Sequence, residues 1–446
     1  MPANHCIIAL STFFITGIAC YCSPVKPGNN SEPGYFPVAA HTGKSDHIIA
    51  GAQRFGLYSQ LLNGKAVAVF ANQTSMVGST HLVDTLKSRG VLIKKIFSPE
   101  HGFRGTADAG EKVGNYTDTQ TGIPVISLYG SKRKPAASDV RDVDVLVFDI
   151  QDVGVRFYTY ISSLQEFMEA AIAFNKPLII LDRPNPNGFY VDGPVLDMQY
   201  KSFIGMQPIP VVYGMTIGEY AYMLLKENML SVETKAQPVV HIDPKPGANI
   251  SSSKFSLTII TCGNYTHNSK YILPVRPSPN LPDIQSVYLY PSTCFFEGTV
   301  LSEGRGTAKP FQVFGHPSLP RTLFSFTPNP TEGAKHSKLY GQLCYGWDLG
   351  GSKEEVLKEV DNKIQLKWLI EAYRLFPEKE KFFIVPGSGK MEASFFNKLA
   401  GNNELWQQIK NGVPEQDIRK NWEPGLSAFK KIRKKYLLYE DFSIAP

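Results

Sequence analysis

Six short, mostly apolar runs without polar alternation mark the stretch from about residue 65 to 230. They are Ala66–Ala71, Lys95–Ser98, Val125–Leu128, Val143–Ile150, Leu178–Leu181 and Pro210–Tyr213. Successive side chains of a strand point to opposite faces, so such a run needs apolar surroundings on both. A parallel sheet covered by helices supplies them. Helical stretches fall between the runs. His81–Arg89 is closed by Gly90, while Ser163 with Glu166, and Thr216 with Glu219, form capping boxes; the helix from Thr216 runs to about Asn228. The β-α-β alternation predicts a Rossmann-like, open α/β domain.

The rhythm fades over 236–270, where Pro238, Pro244, Pro246, Gly247 and Ser251–Ser253 punctuate the chain. The first domain is therefore expected to span 48–250, and 251–446 reads as a smaller α/β domain. That second part opens with Pro-rich 276–282 and Gly-rich 297–307. Ser352 with Glu355 caps a helix that continues or restarts through Trp368 to Phe376, and a last helix is expected from Pro424. With 446 residues, 43% of them hydrophobic, and a net charge of +6, the chain has core enough for two domains and lies outside the disordered class. Beyond residue 20 no apolar run approaches the ~20 residues of a spanning helix.

The first 19 residues stand apart. Cys6–Ala19 is a short apolar run that fits the core of a signal peptide better than a membrane span. Small residues precede Cys20, as at a lipoprotein processing site, although no Lys or Arg precedes the run. Export is expected, to the periplasm or to a membrane through a lipid on Cys20. Residues 20–47, rich in Pro, Gly, Ser and Asn, read as a tether. Three of the six cysteines lie in this region. Cys262, Cys294 and Cys344 are isolated and odd in number, so neither a zinc site nor a disulfide framework is indicated.

In open parallel sheets, ligands gather outside the carboxyl ends of the strands. Asn72 follows the first run; Glu100, His101 and Arg104 follow the second; Asp149, Asp152 and Arg156 the fourth; Asp182, Arg183 and Asn187 the fifth. Glu100 is the sharpest candidate, because a carboxyl at a sheet edge beneath neighbouring protein suits a general acid. The plainer alternative is a loop glutamate that caps a turn. Asp149 reads as a second acid, a base or an anchor for its loop. The proline-stiffened loop Asp182–Gly188 is suited to hold sugar hydroxyls, or is simply a turn. In the second half Glu297, Glu303 and Arg305 lie among glycines, which permit close backbone approach. The planar fork of Arg305 suits a carboxylate; a hairpin with exposed charges is the alternative.

Other chemistries lack their signatures. No G-x-G-x-x-G follows the first run, so a nucleotide has no phosphate loop. Gly387-Ser388-Gly389-Lys390 looks like the end of a P-loop, but Ile384 stands where the first glycine belongs. Neither H-E-x-x-H nor G-x-S-x-G occurs. The cluster KKIRKK (430–435) shares a helix with Leu426, Phe429 and Ile432, and reads as a solvated face rather than a nucleic-acid patch. No cofactor and no nucleic-acid partner is expected.

The stretches SPEHGFRG (98–105), DIQDVGVRFYTY (149–160), LDRPNPNG (181–188), PSPNLP (277–282), FFEGTVLSEGRGTAKPFQVFG (295–315) and YLLY (436–439) occur in that order. They resemble the exo-β-N-acetylmuramidase family of bacterial cell-wall recycling, the NamZ type, over everything from about residue 48 onward. The resemblance implies a Rossmann-like domain followed by a smaller α/β domain, with the active site in the cleft between them and without metal or nucleotide. The implied activity is release of N-acetylmuramic acid from the non-reducing end of peptidoglycan fragments.

Glu100 matches the glutamate of the family's E-H-G motif, so the resemblance implies that it is the general acid. The partner group stays open among Asp149, Asp152, Glu303 and the substrate's own N-acetyl oxygen. Tyr158 lies in the second motif and joins Asn72, His101, Asp152, Asp182, Asn187 and Glu303 as an implied sugar contact. The lactyl carboxylate of N-acetylmuramic acid calls for an arginine, and Arg104, Arg156, Arg183 and Arg305 all lie in matching motifs. A non-catalytic, peptidoglycan-binding lipoprotein on the same fold is the other reading, and the presence of Glu100 argues against it.

Overall fold

The computed structural model describes residues 47–105, 114–233, 237–245 and 254–442. The expected signal peptide, and the tether up to residue 46 with Cys20, lie outside the described residues. After a short helix α1 (Ser59–Leu62) the chain enters its main sheet at β1 (Ala66–Ala71). A small hairpin follows, β2 (Met76–Val77) with β3 (Thr80–His81). Helix α2 (Leu82–Ser88) then leads to β4 (Leu92–Ser98), β5 (Tyr116–Thr117) and β6 (Pro124–Ser127). Helix α3 (Ala137–Val140), β7 (Val145–Asp149), α4 (Tyr160–Ala173), β8 (Leu178–Leu181), α5 (Ile217–Lys226), β9 (Val239–Ile242) and β10 (Ser256–Ile260) complete this part.

Eight of these strands form one sheet in the order β5-β6-β4-β1-β7-β8-β10-β9, parallel except for β5. The chain runs outward from β1 through β4 and β6, then returns to the other side of β1 for β7 and β8. The order thus reverses at β1, where open α/β sheets bind ligands. Both faces are buried, as the apolar runs require. In β1, Val67 and Val69 belong to one apolar cluster, while Ala68 and Phe70 belong to the other. Thr216 caps α5 as expected, its hydroxyl accepting from the Glu219 N–H at 3.2 Å.

Several expectations give way. Pro210–Tyr213 is not a strand of the sheet; Val212 makes only isolated bridges, to Val155 and Asp192. Pro210 has no N–H to donate and Gly214 turns away at φ 61°, so no ladder extends there. Conversely, β9 and β10 lie where the rhythm fades, and β10 inserts between β8 and β9. The sheet therefore runs past the expected boundary at 250. Helix α4 begins at Tyr160, not Ser163, because the Thr159 carbonyl already accepts from the N–H groups of Ser162 and Ser163, both at 3.0 Å.

The second part opens with α6 (Ile284–Thr293). It adds a three-stranded antiparallel sheet with β13 (Cys344–Asp348) between β11 (Val313–His316) and β12 (Phe324–Phe326). The helices α7 (Lys353–Val360), α8 (Leu366–Leu375), α9 (Phe395–Ala400), α10 (Leu405–Lys410) and α11 (Glu415–Arg433) follow. Helix α11 starts nine residues before the expected Pro424. Its buried stripe Ile418, Trp422, Leu426 and Phe429 continues through the proline, and packing outweighs the lost hydrogen bond. Within KKIRKK, Arg433 is not solvated: it is buried, donates to the Gly214 carbonyl at 2.8 Å and pairs with Asp441 at 2.7 Å. One apolar cluster reaches from Ala68 to Tyr436 and joins the two parts. Cys262, Cys294 and Cys344 are buried free thiols.

Candidate active site

A cavity of about 340 Å³ opens beyond the carboxyl ends of β4, β6 and β7. Its volume sits near the lower end of the ~300–1,000 Å³ usual for small-molecule sites, room for about one sugar ring. The turn after β4 contributes Glu100 and His101, the loop after β6 contributes Tyr129 and Arg133, the loop after β7 contributes Tyr158, and the start of α4 contributes Tyr160. The second part closes the opposite wall with Tyr290, Glu297, Arg305 and Phe311, and α9 adds Phe395 and Leu399.

The turn that presents Glu100 is sharp. His101 at φ 69° and Gly102 at φ 73° are successive left-handed residues, and the former costs a non-glycine residue about 1 kcal/mol or more. Gly105, at φ 73°, lies against Gln73; a Cβ there would stand 2.5 Å from its side chain. The Tyr129 hydroxyl donates to Glu100 Oε1 at 2.8 Å and so orients the carboxyl. Burial, and then the Glu100 charge, pushes the Tyr129 phenol far up, so it stays a donor. Asn72 does not reach the cavity. It works from beneath, its amide donating to the Tyr160 hydroxyl at 2.9 Å. Tyr158 packs edge-on against Tyr160 and Tyr290.

Of the candidates from the sequence, Glu100, His101, Tyr158, Glu297 and Arg305 line the cavity together. The others are placed elsewhere. Asp149 and Arg183 are both buried and form a two-pronged pair, Nε to Oδ1 at 2.5 Å and Nη2 to Oδ2 at 2.8 Å. Arg104 grips Asp118 in the same way, at 3.1 and 2.9 Å. Arg156 is wholly buried and donates to four carbonyls, those of Pro194, Ile209, Leu399 and Ala400, at 2.8–2.9 Å. Burial pulls its pKa down to about 9.

Asp152 accepts from the Tyr213 hydroxyl at 2.5 Å and the Gly154 N–H at 2.6 Å, and burial pushes its carboxyl up to about 7. Asp182 anchors Thr216, Gly218 and Tyr439, and burial raises it to about 6. Asn187 donates to the carbonyls of Val153 and Val287 at 2.8 and 3.1 Å. Glu303 lies behind Arg305. Burial works to raise its pKa, yet Lys338 at 2.8 Å and Arg305 at 3.3 Å hold it below the usual carboxylate range.

Glu297, not Glu303, is the glutamate of the Gly-rich stretch that reaches the cavity, and it pairs with Arg305 at 2.5 Å. Tyr129 and Arg133 are cavity residues that the sequence candidates omit. Reading the end of the third apolar run by the same rule points straight to them. Among the described residues, no cluster of three or more His, Cys, Asp or Glu is arranged to hold a metal ion.

Residues 67–285 match the family described as exo-beta-N-acetylmuramidase NamZ, N-terminal, and residues 288–439 match its C-terminal counterpart. The peptidoglycan beta-N-acetylmuramidase NamZ of Bacillus subtilis (strain 168) is 36% identical over 404 residues, covering 86% of this chain and 89% of that protein. A crystal structure of a DUF1343 family protein from Bacteroides fragilis NCTC 9343 superposes with a TM-score of 0.75 at 41% identity, over 89% of this chain and 99% of that one. A second from the same organism gives a TM-score of 0.66 at 26% identity, over 88% and 99%. A carboxyl poised in a sugar-sized cavity, and matches spanning both parts of the fold, place this chain in the exo-β-N-acetylmuramidase NamZ family.

Proposed function

We propose that the chain is an exo-acting glycoside hydrolase that removes N-acetylmuramic acid from the non-reducing end of peptidoglycan fragments, with Glu100 as general acid. The observation that carries this is the Glu100 carboxyl, oriented by Tyr129, in a cavity of about one sugar's volume. Glu100 delivers its proton to the glycosidic oxygen as the bond to the anomeric carbon breaks; water supplies the hydroxyl that replaces it. Of the described carboxylates, Glu297 is the other that lines the cavity. It takes the second role in place of Asp149, Asp152 and Glu303, its carboxylate held at the cavity wall by Arg305. The aromatic walls, Tyr158, Tyr160, Tyr290 and Phe311, suit a sugar ring's apolar faces.

The test is hydrolysis of 4-nitrophenyl β-N-acetylmuramic acid by the purified protein and by Glu100→Gln. A fall of about 10²–10⁴ in kcat supports the assignment; an unchanged kcat refutes it. The apolar run 6–19 and the small residues before Cys20 support export of the chain to the periplasm or the membrane. Mass spectrometry of the mature N-terminus, for cleavage before Cys20 and a lipid on it, tests that.

A further inference from the structure

We propose that Arg133 reads the lactyl carboxylate of the terminal sugar and thereby sets the preference for N-acetylmuramic acid over N-acetylglucosamine. This rests on the reading above. It begins with elimination among arginines. Each arginine of the sequence motifs is already committed: Arg104 to Asp118, Arg156 to four carbonyls, Arg183 to Asp149, and Arg305 to Glu297 and Glu303. The first three do not line the cavity.

Arg133 differs in each respect. It lines the cavity, its side chain is exposed, and among the described residues it has no carboxylate or carbonyl partner. Its guanidinium lies 4.1 Å over the ring of Phe203, another cavity residue. Stacking on an aromatic face occupies the plane of the guanidinium and leaves its N–H edges for a second partner. A carboxylate fits that edge with two parallel hydrogen bonds. The rest of the cavity needs such a cation. Glu297 already neutralises Arg305, so an anionic sugar would otherwise meet the Glu100 side with nothing to offset its charge.

Position agrees with chemistry. Arg133 is four residues beyond Tyr129, on the loop whose tyrosine orients Glu100. The lactyl ether hangs from the sugar's third carbon, two carbons from the anomeric centre where Glu100 acts. One loop thus serves both the reacting bond and the group that distinguishes the two wall sugars.

The experiment compares 4-nitrophenyl β-N-acetylmuramic acid with its analogue bearing a lactyl carboxamide, for wild type, Arg133→Gln and Arg133→Lys. Binding of free N-acetylmuramic acid and N-acetylglucosamine is measured alongside by calorimetry. The expected result for Arg133→Gln is a fall of about 10- to 100-fold in kcat/KM on the acid, mostly through KM, with a much smaller fall on the carboxamide, so that the acid-over-carboxamide preference is lost. Arg133→Lys, keeping the charge but not the fork, falls between. An acid-over-carboxamide preference unchanged in Arg133→Gln overturns the proposal. If no glycoside is hydrolysed yet free N-acetylmuramic acid binds in an Arg133-dependent way, the activity reading fails and this one stands. If wild type neither hydrolyses the glycoside nor prefers N-acetylmuramic acid in binding, both fall.

Discussion

Glu100 and Tyr129 each stand two residues beyond a matched pair, Ser98 of β4 and Ser127 of β6, which face each other across parallel strands. Strand register therefore brings the phenol within 2.8 Å of the carboxyl. Tyr129→Phe keeps the ring and removes the donor. Since such a bond contributes about 1–1.5 kcal/mol, kcat should fall about tenfold with KM little changed. Steady-state kinetics on the muramic acid glycoside check this, with circular dichroism to confirm the fold.

Asp149 is expected to hold structure rather than carry chemistry. Asp149→Asn leaves Arg183 buried without its charge partner, a loss of about 3–5 kcal/mol. Denaturant unfolding should show that loss, while kcat per folded molecule stays near wild type. A hundredfold fall in kcat for the folded fraction would return Asp149 to the mechanism.

Asp152 gives a pH dependence with a definite sign. Its folded pKa, about 7, lies above the unfolded value of about 3.9. Between those values the folded chain keeps a proton that the unfolded chain has lost. Stability from this group is full below about pH 4 and declines as pH rises through about 7. Asp152→Asn retains an oxygen for Tyr213 and Gly154 and cannot ionise. The difference in unfolding free energy between wild type and variant, measured from pH 4 to 8, should move in the variant's favour as pH rises. Asp182, raised to about 6, keeps part of the decline in both proteins.

Arg156→Leu removes a donor from four buried carbonyls; Ile209 keeps the Leu196 N–H at 3.1 Å, and each carbonyl left unsatisfied costs about 1–3 kcal/mol. A loss of at least about 3 kcal/mol is expected in thermal or denaturant unfolding. Two of those carbonyls belong to Leu399 and Ala400 of α9, the helix that brings Phe395 and Leu399 to the cavity. The KM for the muramic acid glycoside should therefore rise in whatever fraction folds.

What the sequence reveals, and what it hides, divides along the reach of the forces involved. The two-faced burial of β1 and the Thr216 cap are local, and both are legible in the pattern of residues. So is the placement of Glu100 at a strand end. The rule of strand ends cannot tell a side chain that faces the cavity from one that pairs beneath it. Asp149 finds Arg183 across 34 residues, and Arg156 finds Leu399 across 243, so nothing nearby in the chain announces either. Pro210–Tyr213 shows the converse error, apolar enough for a strand but deprived of its ladder by Pro210.

Helix α6 carries a last consequence. The two family segments meet between residues 285 and 288, inside its span of 284–293. Its cap, Asp283, precedes the junction, yet its carboxylate is held by Gln312 from beyond it, at 3.0 Å. A chimaera joined there would graft half a helix onto a foreign cap. Exchanging one half for a relative's should therefore cost stability, and because one apolar cluster spans both parts, heating should melt them together.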